Sequence, residues 1–213
     1  MGNSMTMAGK GRRVKGFTLI ELMVTLIVAS IVLTLGVPGL QGFFDSKRLI
    51  DATEQVASHL QQARMEAIAR SAPVGITVNF SANGTTTWQY GVSHTAACDL
   101  TKTTSTDLNA CVIVTDDGDG TVDPGDGSVD AGDLVLMRFT NAEFDGVTMN
   151  APVIAGGGTD ITFDPVRGTA QAGDIKLISD GGRQLTVRVG ILGQIRICSN
   201  DGSVQRYSTA GCV

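Results

Sequence analysis

The chain has 213 residues, with 27 glycines, few aromatics and a formal net charge of −5. That length leaves room for one globular domain besides any leader and anchor, and the acidic balance argues against bulk nucleic-acid binding. No GxSxG, HExxH or P-loop motif occurs, and neither His59 nor His94 stands beside a nucleophile motif, so nothing in the sequence supports catalysis.

The first segment, residues 1–16, carries Lys10, Arg12, Arg13 and Lys15 and no acid, so removing its four positive charges leaves −9 for the rest. Residues 17–44 follow with one charged side chain, Glu21. Crossing a hydrocarbon core takes about 20 apolar residues, so this stretch reads as a transmembrane segment. Its basic flank would face the cytoplasm. No small-residue cleavage site ends the apolar run, as it would in a secretory signal. A carboxylate this deep in a membrane helix costs about 2.5–3.5 kcal/mol at the centre and less near the edge. A cost of that kind points to a function for Glu21, against the simpler reading of an interfacial acid.

Residues 45–72 become polar but stay periodic, with Leu49, Thr53, Val56, Leu60, Ala63 and Ala67 on one helical face. Pro73 marks the stop. One long helix from residue 17, or two helices broken at residues 36–42, both satisfy the pattern. Beyond Pro73 the signals are those of strands. Runs fall at 74–80, 88–92, 112–115, 134–139, 161–163, 175–179, 185–189 and 194–198, with Asn83-Gly84 a turn and residues 190–193 a hairpin loop. A long helix followed by antiparallel strands gives an α+β domain. His59 reads as a helix-surface residue and Trp88 as core.

The cysteines form two close pairs, Cys98 with Cys111 and Cys198 with Cys212. Three connectivities are open, and the local one is the simplest. Each local bridge would close a loop worth about 3 kcal/mol and would imply an oxidising compartment. Four free thiols are the alternative. Residues 116–133 alternate Asp with Gly. They read either as a solvated, turn-rich loop or as a calcium site, with Asp117, Asp119 and Asp123 as leading ligands. The spacing does not fit an EF-hand, because Val122 stands where the loop glycine belongs. The last quarter is mildly basic through Arg183, Arg188, Arg196 and Arg206.

The run Lys15-Gly16-Phe17-Thr18-Leu19-Ile20-Glu21-Leu22-Met23-Val24 resembles the class III signal of type IV prepilins. The resemblance implies cleavage by prepilin peptidase after Gly16 and N-methylation of Phe17. It implies a single pass through the inner membrane and a head in the periplasm. It also implies delivery by an inner-membrane assembly platform into a filament of other pilins or pseudopilins. Glu21 would then pair with the Phe17 amine of a neighbouring subunit and set axial register, and Pro38 falls where many pilins kink. Gln61-Gln62-Ala63-Arg64-Met65-Glu66-Ala67-Ile68 and Gly193-Gln194-Ile195-Arg196-Ile197-Cys198 resemble the GspH/FimT family. The expected architecture is therefore a type IV pilin-like α+β fold: leader 1–16, transmembrane or filament-core helix 17–44, amphipathic continuation 45–73, and a β-rich head 74–213. Expected roles are a minor pilin or a type II secretion pseudopilin. Some FimT-type minor pilins bind DNA through a GRxR motif. Gln194 replaces its first arginine here, and a patch of Arg183, Arg188 and Arg196 would be what remains for DNA.

Overall fold

Helix α1 runs from Leu19 to Arg70 without a break at the glycines and proline of 36–42. The structure, a computed structural model, describes residues 16–70, 75–82, 84–94, 97–115 and 133–210, with the side chains of 35–41 and 70 outside the description. The chain divides into two compact units, Met1–Gln41 and Gly42–Val213. The sequence had suggested a change of character three residues later.

In the first unit α1 is started by Thr18. Its side-chain oxygen accepts the Glu21 backbone N–H at 3.3 Å, and its carbonyl accepts the Leu22 N–H at 3.2 Å. That is an N-cap, which satisfies donors that a helix start leaves orphaned.

In the second unit the rest of α1 turns one face inward. Leu49, Thr53, Val56, Leu60, Ala63 and Ala67 are all 0–1% exposed, the face that three- and four-residue spacing marks out. Thr53 is tolerated there because its hydroxyl donates to the Leu49 carbonyl at 2.6 Å.

The strands are β1 (Ile76–Ser81), β2 (Gln89–Ser93), β3 (Val112–Val114), β4 (Leu134–Leu136), β5 (Arg138–Thr140), β6 (Val147–Met149), β7 (Val153–Ile154), β8 (Asp160–Phe163), β9 (Gly173–Ser179), β10 (Gln184–Val189) and β11 (Ile195–Cys198). One antiparallel sheet has the order β5-β2-β1-β8, and a second has β11-β10-β9-β6 with β7 also on β9. β3 and β4 pair alone. The inner face of α1 shares one hydrophobic core with β1, β2, β8, β9 and β10.

The run expected as one strand at 134–139 is two. β4 pairs with β3 and β5 pairs with β2, and Met137 between them donates to Cys111 O at 2.7 Å while accepting from Val92 N–H at 2.9 Å. The chain changes partner at that residue, so the pattern continues while the ladder does not. β6 and β7 were not expected, because two or three residues are too short to show a period of two. The hairpin at 190–193 is present, closed by Gly190 N–H to Gln194 O at 2.9 Å. Asn83 lies outside the described residues, and its neighbour Gly84 has φ of +69°.

Candidate assembly site

Phe17 and Glu21 are the two described residues to which the sequence assigned assembly chemistry. Phe17 is 81% exposed. Glu21 is exposed too, and its carboxylate makes no hydrogen bond or ion pair among the described residues. Gly16 precedes the helix, and the basic leader before it lies outside the description. The sequence reading missed Thr18. The signal was there, since Thr18-x-x-Glu21 has the capping-box spacing.

Behind Glu21 the helix is apolar on every side. Large apolar side chains from Leu19 to Leu33 are each more than half exposed, between 51% for Val24 and 80% for Leu19. Its hydroxyls are satisfied internally: Thr25 donates to Leu22 O at 2.9 Å, Ser30 to Ile27 O at 2.8 Å, and Thr34 to Ser30 O and Ile31 O, both at 2.9 Å. Such a surface asks nothing of water and loses free energy by meeting it. Among the described residues no helix is long and apolar enough to cross a membrane. Residues 19–34 would extend about 24 Å at about 1.5 Å per residue, short of a hydrocarbon core of about 30 Å.

Cys98 and Cys111 are disulfide-bonded, with Cα atoms 4.9 Å apart, and the bridge ties the loop after β2 to the start of β3. Cys198 is disulfide-bonded as well, and Cys212 lies outside the described residues. Asp117, Asp119 and Asp123 also lie outside them, and no cluster able to hold a metal ion occurs among the described residues.

The arginines do not gather as the DNA reading required. Arg183 turns to α1, where its guanidinium donates to Gly42 O at 2.5 Å and to the Ser46 hydroxyl. It precedes β10, five residues before Arg188. Arg188 and Arg196 do face each other across β10 and β11. Arg188, however, is held by Asp174 of β9 through two hydrogen bonds, at 2.7 and 2.9 Å. Arg206 pairs with Glu54 at 3.1 Å. Among the described residues the side chain of Arg196 alone of these four has no hydrogen bond or ion pair.

His59 is not the simple surface residue that helical periodicity suggests. Its ring stacks on Phe139 at 3.7 Å between centroids, and its Nδ1 lies 2.8 Å from the Tyr90 hydroxyl. Burial lowers its pKa below the usual 6.5, and burial raises that of Tyr90 well above its usual value. The neutral pair is thus favoured, with the Tyr90 O–H donating to the ring nitrogen.

Comparison with known families returns two matches. The family described as Type II transport protein GspH matches residues 52–194, from the buried face of α1 to the β10–β11 loop. The Prokaryotic N-terminal methylation motif matches residues 11–37, which include Gly16, Phe17 and Glu21. The chain matches no curated protein and no solved structure.

Proposed function

Because the chain belongs to the type II transport protein GspH family and carries a prokaryotic N-terminal methylation motif, we propose that it is a minor pilin or pseudopilin subunit with a structural role. Prepilin peptidase cuts it between Gly16 and Phe17, and Phe17 is then N-methylated. The N-terminal part of α1 holds it in the inner membrane as a single pass, using residues beyond Thr34 to complete the span, with the head on the periplasmic side. An inner-membrane platform then assembles it with other pilins or pseudopilins, into a type II secretion pseudopilus or a type IV pilus.

The observation that carries this reading is the helix apolar on all sides, with a single unpartnered carboxylate near its start. A solvated helix has a polar face; this one needs lipid or other helices on every side. In either setting an ionised Glu21 is costly unless a cation meets it. The Phe17 amine of a neighbouring subunit is a cation of the right kind, and pairing with it would fix axial register. Display of DNA-binding arginines has less to stand on, since Arg183, Arg188 and Arg206 are already engaged within the head.

Intact-mass and N-terminal analysis of the protein from its native membrane tests the proposal. The expected chain begins at methylated Phe17. A chain beginning at Met1 would overturn it, and one beginning after residue 36 would make the head a secreted domain.

A further inference from the structure

The second sheet ends on β11, and among the described residues the outer edge of that strand is open. Gly190 N–H bonds to Gln194 O, and the register pairs Arg188 with Arg196 and Thr186 with Cys198. In an antiparallel ladder hydrogen-bonded positions alternate, so residues 194, 196 and 198 direct their backbone groups to β10. The N–H and C=O groups of Ile195 and Ile197 therefore point away from the sheet. Among the described residues they meet no other segment.

The side chains beside this edge are unbalanced. Asp174, Arg188 and Arg196 form one cross-strand row over β9, β10 and β11. Asp174 gives both oxygens to Arg188, so the row runs minus, plus, plus and ends on an exposed, unpaired cation. Like charges directly opposite are unfavourable, and opposite charges stabilise. Arg188, Gly190, Gln194 and Arg196 also line a recess of about 230 Å³ next to the edge. On the other face Ile195 and Ile197 are half-buried at the rim of the core.

We propose that the β11 edge receives an extended acidic segment of a neighbouring protein subunit, added as one more strand. Its main chain bonds Ile195 and Ile197, its carboxylate completes the row at Arg196, and apolar residues on either side of that acid cover the two isoleucines. A protein strand fits this edge better than DNA does. The edge offers main-chain donors and acceptors at strand spacing, which phosphates cannot use as a ladder. One uncommitted arginine also gives DNA few contacts, with a salt slope near −1. The proposal uses neither Phe17 nor Glu21, so its test can fail while the processing test succeeds.

The test uses the full chain in detergent micelles and a labelled synthetic peptide of alternating Val and Asp, with a Val and Lys peptide as its counterpart. The expected result is saturable binding of the Asp peptide, with amide exchange at Ile195 and Ile197 slowed while the peptide is bound. Arg196→Glu should weaken that binding by about tenfold or more and allow the Lys peptide to bind instead. Ile197→Pro removes an outward N–H that β10 does not use and part of a half-buried side chain, so it should abolish strand addition while lowering the unfolding midpoint only modestly. If that variant unfolds, the exchange rates in the unaltered chain decide. Unchanged exchange at Ile195 and Ile197 overturns the proposal. So does retardation of a short DNA duplex without peptide binding, and so does binding of neither, which would leave Arg196 as a charge guarding the edge.

Discussion

Two glycines in the β10–β11 loop should respond to the same substitution with very different losses of stability. Gly193 has φ of +73°, and a Cβ there would run into the backbone carbonyl oxygen of Gly168 and come within 2.8 Å of Arg64 Nε. Arg64 is what ties this corner: it donates to Gly168 O and to Leu192 O, each at 3.0 Å. Gly193→Ala therefore pays a left-handed backbone cost of about 1–2 kcal/mol and must move a carbonyl that cannot swing away. Losing both Arg64 hydrogen bonds, discounted because they are half-exposed, adds about 2 kcal/mol. The sum is about 3–4 kcal/mol, or about 6–15 °C in midpoint for a protein of this size. Gly190 has no positive φ, and its Cβ would meet only the flexible end of Gln194. Gly190→Ala should cost about 0.5 kcal/mol, or about 1–2 °C. Thermal unfolding of the full chain in detergent reports both through Trp88, the only tryptophan and 1% exposed. Equal midpoints for the two variants would mean that the hairpin does not rest on Gly168, and the packing argument would fail.

Three further outcomes are expected. Glu21→Ala should still reach the membrane but enter filaments at a level lower by about tenfold or more, measured by its share in sheared filaments beside unaltered subunits; equal incorporation would end the pairing argument. His59 binds its proton less readily in the fold than in the unfolded chain, where its pKa is near 6.5. The stability it permits is full above that pH and is lost as the pH falls below it, so midpoints compared at about pH 7 and pH 5 should fall more in the unaltered protein than in His59→Gln. Removing the Cys98–Cys111 bridge, whose cysteines are 13 residues apart, by Cys98→Ser with Cys111→Ala should cost about 3 kcal/mol in denaturant.

The N-terminal motif was legible because it is local. The four basic residues before Gly16, the single Glu21 and the uncharged stretch behind it lie in one run of sequence, and no distant residue is needed to interpret them. The buried face of α1 was legible for a similar reason. A 3.6-residue period places Leu49, Val56 and Leu60 on one side whatever covers them. The hairpin between β10 and β11 announced itself through two glycines at its ends.

Partners, by contrast, come from far away in the chain. Periodicity puts His59 at the margin of the buried face, and only the arrival of Tyr90 and Phe139 from β2 and β5 covers it. Of the three arginines expected as a phosphate patch, two are engaged by residues that register or helix docking brings: Gly42 and Ser46 for Arg183 and Asp174 for Arg188, while Arg206, outside that patch, meets Glu54. The split at Met137 has the same origin, since β4 and β5 differ only in which strand lies beside them.

The sequence by itself determined a prepilin-like start, a helix with one buried face and a strand-rich head, because charge runs and periods are properties of neighbouring residues. The tertiary structure alone decided which charges are neutralised, which histidine is covered and which sheet edge is left open, because those depend on contacts between residues tens of positions apart, whose register no local pattern encodes.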